Sequence, residues 1–165
     1  MAAGATYTLI NAQTANGSVS TINFTSISQT YTDLILKINS SQSGNFVYMR
    51  VGNGSIDSGT NYSEIYELSN GSSVSASGDN NSSLMPTVYV NSGSNYSVAT
   101  ANFMNYSNTT TFKTVLNKNG VTSAGVLGIV NLWRSTSAIN TISVFTGGGN
   151  YSSGSTFALY GIAAA

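Results

Sequence analysis

The chain has 165 residues, zero net charge, only five basic and five acidic side chains, and neither His nor Cys. Those absences remove disulfides, soft-metal sites and the imidazole most used for proton transfer. Five scattered cations (Lys37, Arg50, Lys113, Lys118 and Arg134) supply no field for nucleic acid. The length suits one domain with a proper core, spanning residues 1–165. Ten tyrosines, six phenylalanines and a single proline separate the composition from that of disordered chains.

No window shows apolar positions at helical spacing. Short runs of β-branched and aromatic residues recur instead, punctuated by Asn-Gly, Ser-Gly and Gly-Asn turn signals. In chain order, strands are expected over Thr6–Ala12, Ser18–Thr25, Tyr31–Asn39, Phe46–Gly52, Ser63–Leu68, Thr87–Asn91, Val98–Tyr106, Phe112–Asn117, Val126–Trp133, Ala138–Thr146 and Ser155–Ile162. The pattern reads as an all-β, antiparallel β-sandwich of jelly-roll-like type, with about eight to eleven strands.

Alternation assigns faces. Leu34, Leu36 and Ile38 should face the core, opposite Asp33, Ile35 and Lys37; Val47, Met49 and Val51 oppose Phe46, Tyr48 and Arg50. In the last strand Phe157 and Leu159 oppose Ala158 and Tyr160, so both faces are apolar. A central place in a sheet or a subunit interface would each account for that. Low-complexity Asn70–Ser83 reads as an exposed loop, and Gly147-Gly148-Gly149-Asn150 as a turn needing positive φ. The N-terminal Met1-Ala2-Ala3-Gly4-Ala5 has no signal-peptide pattern, and no run approaches the ~20 apolar residues of a membrane span.

Candidate chemistry is sparse. A hydrolytic triad lacks its base, and neither Ser-x-x-Lys nor Gly-x-Ser-x-Gly occurs. Glu64 and Glu67 project to opposite faces of one strand, so a glycosidase pair would need Asp57 or Asp79 from a loop. Asp57, Ser58, Thr60 and Asn61 offer oxygens to a cation but only one carboxylate. We expect no catalytic residue, metal or cofactor. The Asn-x-Ser/Thr matches at Asn23, Asn61, Asn95, Asn105 and Asn150 follow from composition. Tyr62, Tyr66, Tyr96, Tyr106 and Tyr151, beside Asn-rich turns, are the candidate contacts for a subunit interface or a glycan. Trp133, sharing parity with Leu127 and Ile129, reads as a packing anchor, as do Phe157, Leu159 and Tyr160. A neutral skin of hydroxyls and amides favours association, so the surface suits packing against copies of itself.

Four ordered segments carry a resemblance: Asn53-Gly54 with Asn61-Tyr62; Asn105-Tyr106-Ser107-Asn108-Thr109-Thr110 into Phe112-Lys113-Thr114; Leu132-Trp133-Arg134-Ser135-Thr136-Ser137-Ala138-Ile139 into Thr141-Ile142; and Gly154–Ile162. Together they resemble a jelly-roll-like module of tailed-bacteriophage virion proteins: tail fibres, head fibres and capsid-decoration subunits. The resemblance implies a structural subunit, assembled in the host cytoplasm and resident in the virion. It further implies a homo-oligomer, with a trimer favoured, and the major capsid protein or other virion proteins as partners. It casts Tyr62 and Trp133 as packing anchors, and Gly154 and Gly161 as turn or close-approach glycines. Lacking a coiled-coil or collagen-like shaft, the chain is expected to be a capsid decoration or cement subunit. The alternative is a fibre module that recognises host surface glycans. Neither role involves nucleic acid or membrane.

Overall fold

The computed structural model describes residues 6–44, 46–89, 96–121 and 125–163. The end of the expected Thr87–Asn91 strand, the sequon at Asn95 and the N-terminal pentapeptide lie outside them. Thirteen strands are present among the described residues: β1 (Tyr7–Thr14), β2 (Thr21–Phe24), β3 (Asp33–Ser40), β4 (Phe46–Asn53), β5 (Ser55–Ile56), β6 (Tyr62–Ser69), β7 (Val74–Ser82), β8 (Met85–Tyr89), β9 (Ser97–Phe103), β10 (Lys113–Val121), β11 (Gly125–Trp133), β12 (Thr141–Thr146) and β13 (Thr156–Ile162).

They form two antiparallel sheets packed face to face. The large sheet runs β1-β13-β3-β9-β10-β11-β6-β7; the small one runs β2-β12-β4-β5, with β8 also paired to β4. Within this arrangement β1-β13-β3-β9 faces β2-β12-β4-β8, which is the paired four-strand order of a jelly roll. Strands β10, β11, β6 and β7 then prolong the large sheet beyond the jelly roll.

Period-2 alternation sets the core as expected. Leu34, Leu36 and Ile38 of β3 meet Val47, Met49 and Val51 of β4 and Ile142 and Val144 of β12 in one buried cluster, with Phe103, Phe157 and Leu159. The inner face of β13 packs in the core through Phe157 and Leu159, whereas Ala158 and Tyr160 lie half-buried on the outer face of the large sheet, where β13 pairs with β1 and β3. At Gly161 a Cβ would stand 2.3 Å from the Tyr31 ring, so the strand tolerates no side chain there; Gly154 turns at φ +90°. Of the Gly147–Asn150 turn only Gly149 has positive φ.

Two expectations need correction. Thirteen strands stand where at most eleven were expected, because the short β5 returns on β4 after the Asn53-Gly54 turn and β7 adds one more. Asn70–Ser83 is not a loop throughout: Val74–Ser82 pairs along β6 from Ser69 to Tyr62. Asn70 nucleates that hairpin, its Oδ1 accepting from the Ser72 and Ser73 N–H groups, each at 2.9 Å. Seven of the nine β7 residues are Ser, Asn, Asp or Gly and all but Ser82 are exposed, so the backbone ladder holds the strand and packing does not.

Candidate functional site

The five tyrosines part into two groups. Tyr62, Tyr106 and Tyr151 are wholly buried, so they cannot meet a glycan or a neighbouring subunit and are core residues instead. The Tyr62 hydroxyl sits among the Val51 N–H (3.2 Å), the Val51 carbonyl (3.1 Å) and the Asp57 carbonyl (2.7 Å), and burial raises its pKa. Tyr106 donates to the Ser28 carbonyl. Tyr151 packs edge-on against Phe157 at 4.7 Å, and its buried hydroxyl meets no hydrogen-bond partner among the described residues. Tyr62→Phe is therefore expected to lower unfolding free energy by about 1–3 kcal/mol. Tyr151→Phe should leave it unchanged or raise it by about 1 kcal/mol, since an unmade bond disappears. Paired urea titrations check both. Tyr96 stays partly exposed and donates to the Ser153 carbonyl at 2.8 Å; Tyr66 is half-buried.

Trp133, Phe157 and Leu159 are buried and Tyr160 half-buried, with Lys37 Nζ 5.5 Å from the Tyr160 ring centre. The Trp133 indole N–H donates to Asp57 Oδ2 at 2.8 Å. Asn61 Nδ2 (2.9 Å to Oδ2) and the Gly59 N–H (2.9 Å to Oδ1) complete the carboxylate's shell. Burial works to raise the Asp57 pKa, but these hydrogen bonds outweigh it and hold the carboxyl below its ordinary range. The Asp57 loop is thus a pinned corner, its acceptors directed at the chain itself.

The outer face of the large sheet is unusual. In register, one row crosses seven strands as Leu9, Tyr160, Ile35, Asn102, Leu116, Val130 and Ile65, with a single polar member. Leu9, Val130 and Ile65 are 43–54% exposed. Two rows away lie Val98, Gly120 and Val126, the valines at least 60% exposed. Between these rows Lys118 and Glu67 flank Gly128. A Cβ at Gly120 or Gly128 would meet nothing within 4 Å, and neither residue has positive φ. The fold of the chain does not require glycine at either place. The gaps they leave form shallow troughs of about 520 Å³ beside Val98 and Val126 and about 370 Å³ beside Val130 and Ile65.

A second feature is a groove at the far edge. Strand β8 is fixed on the large sheet by the Asn117 and Asn131 amides, which both donate to the Pro86 carbonyl (3.2 and 3.1 Å). It packs over β9, β10, β11 and β6, and β7 runs on exposed beside it. The resulting groove of about 500 Å³ is walled by Phe46, Tyr48 and Pro86 on one side and by Glu64, Tyr66 and Asp79 on the other. Phe46 and Tyr48 stack at 5.8 Å, and Tyr89 and Phe145 continue the aromatic strip. Glu64 stands opposite Asp79 in the β6–β7 register. Burial first, and the Asp79 charge second, raise the Glu64 pKa, against the nearby Ser82 hydroxyl. Burial also raises that of Tyr48, with Glu64 adding to it.

No family model, curated protein or solved structure matches the chain.

Sequence reasoning weighed Asp79 as a partner for Glu64 but had no register with which to choose it over Asp57. It placed Phe46 and Tyr48 on the face of their strand opposite Val47, Met49 and Val51 without giving them a role. Arg134, read only as one of five cations, locks the groove's rim: it donates to the Thr60 carbonyl at 2.6 Å, to the Tyr62 carbonyl at 3.3 Å, and to Ser63 Oγ and the Asn80 carbonyl. Arg50 Nε likewise donates to the Ser83 carbonyl at 2.8 Å.

Proposed function

We propose that the chain is a structural subunit that packs against copies of itself through the outer face of its large sheet, as a decoration or cement piece of a tailed-bacteriophage head. The observation that carries the self-association is the pair of glycines, Gly120 and Gly128, that the chain's own fold does not need. They lie as troughs beside projecting Val98, Val126, Val130 and Ile65. Ridges next to hollows offer the self-complementary relief that an interface between identical copies requires. Zero net charge removes the repulsion that keeps small domains apart. The virion assignment is supported by the four ordered segments that resemble phage decoration and fibre modules, and by a jelly-roll order suited to such particles.

Sedimentation equilibrium of the purified chain tests the first half: an oligomer is expected, and a monomer at tens of micromolar, on the scale of weak contacts, would overturn it. Binding to isolated phage heads that lack their decoration tests the second half. Because the contact is apolar, the oligomer should persist from about 0.05 to 1 M NaCl, where screening removes surface ion pairs. Dissociation at high salt would show that charges such as Lys118 and Glu67, and not the apolar ridges, hold the contact.

A further inference from the structure

The groove between β4, β8 and the β6–β7 hairpin is not part of the docking face: Glu64 and Tyr66 point inward from β6, whereas Ile65 and Glu67 point outward. We propose that this groove is a binding site for a neutral saccharide, with the Tyr48 and Tyr66 rings as the stacking surfaces and the Glu64 and Asp79 carboxyls as the hydroxyl-orienting groups.

Three observations converge on that ligand class. First, the walls combine half-buried aromatic rings with carboxyl and amide groups, a pairing that suits the apolar C–H face and the hydroxyl rim of a pyranose. Second, Glu64 Oε2 is shielded from solvent and meets no hydrogen-bond partner among the described residues, the nearby Ser82 hydroxyl donating instead to the Leu84 carbonyl at 2.8 Å. A lone pair left unsatisfied in this way is costly, and a ligand hydroxyl donating to it removes the cost. Asp79, across the strand pair, presents a second carboxylate to the same space, and Asn81 an amide. Third, the two cations nearest the groove are engaged. The Arg50 Nε–H and the Arg134 guanidinium donate to backbone carbonyls, and the Arg50 guanidinium lies 5.0 Å from the Phe145 ring centre. With the carboxyls facing inward and the arginines committed, phosphate, sulfate and acidic sugars are disfavoured. The volume of about 500 Å³ lies within the range of small-ligand sites.

Asp79 and Asn81 of the exposed β7 line one rim, so the site suits the end of a chain or a branch that enters from the side. It shares no residue with the Gly120/Gly128 face, so both can be occupied together.

Isothermal titration with neutral methyl hexosides, N-acetylhexosaminides and their disaccharides tests the proposal, with sialic acid and a primary alkylamine as controls. Saturable binding of at least one neutral sugar is expected, weakened about tenfold or more by Tyr48→Ala and by Glu64→Gln. Asp79→Asn, at an exposed edge position, should weaken it several-fold and keeps the test sound should Tyr48→Ala unfold the chain. The oligomeric state should be the same in all three variants, which separates this site from the docking face. Absence of binding by every neutral sugar at about 10 mM, weak even by the standards of millimolar affinities, would overturn the proposal. So would preference for the amine, or unchanged affinity in Glu64→Gln and Asp79→Asn.

Discussion

Gly128→Thr is expected to leave the chain folded and slightly more stable, yet monomeric. Glycine inside a strand costs roughly 0.5–1 kcal/mol relative to a residue with a side chain, and threonine is a good strand former. The added Cβ meets nothing within 4 Å, so the fold offers no penalty. In an assembled pair the same atoms would occupy the trough that receives a neighbour's Val or Ile. Excluding one such side chain forfeits about 1.5–3 kcal/mol of burial, and two copies of the contact double it. Association should therefore weaken at least ~100-fold, about 2.7 kcal/mol. Val130→Lys should do the same from the other side, by placing an unpaired charge in the contact. Sedimentation equilibrium and thermal melts on the same samples read both quantities. Stability and association moving in opposite directions is the signature. Wild-type association in both variants would show that another face is used.

Trp133→Ala is expected to cost about 3–5 kcal/mol, the range for removing a buried large aromatic. In a chain of this size that corresponds to a drop of roughly 10 °C or more in Tm. The indole fills the end of the core and also donates to Asp57, so its removal opens a cavity and unpins the β5–β6 corner. Trp133→Phe separates the two effects, keeping most of the volume while losing the N–H. The pH dependence supplies a third reading. The hydrogen bonds hold the folded Asp57 pKa below its unfolded value near 4, despite the opposing effect of burial. Its contribution to stability is thus fully present above about pH 4 and is lost as pH falls through the lower, folded value. Asp57→Asn should be less stable than wild type at pH 7, and its stability should fall less steeply below about pH 4. Equal slopes in the two proteins would mean that the hydrogen bonds from Trp133, Asn61 and Gly59 do not hold the Asp57 carboxylate in solution.

Much of the fold was legible because β-strand chemistry is written with period two. Leu34, Leu36 and Ile38 announced their buried face, and so did Val47, Met49 and Val51. Strand β7 was hidden because its side chains carry no pattern. Only the Asn70-Gly71 turn signalled a hairpin, and pairing along β6 supplied the rest. Tyr106 and Tyr151, and Tyr62 as a surface contact though not as the packing anchor that the resemblance implies, were misplaced for a related reason. Polar neighbours made them look like surface residues, but each ring turns inward, and for Tyr62 and Tyr106 a backbone carbonyl takes the hydroxyl proton. The groove was out of reach because Tyr48, Glu64 and Asp79 converge only once the strand order is known. The apolar row on the large sheet was hidden likewise. Each strand contributes one or two residues that look unremarkable alone, and the belt exists only across the ladder.

The position of β13 governs how this molecule comes into being. Strands β1 and β3 do not pair with each other, and each completes its ladder only on β13, which arrives far downstream. Strand β2 waits in the same way for β12. Early segments therefore cannot mature alone, and closure demands long chain loops whose entropy must be surrendered before any ladder rewards it. Refolding should be slow, on a millisecond-to-second scale or beyond, with the unpaired edge of β3 open to capture by another chain until the late strand slots in.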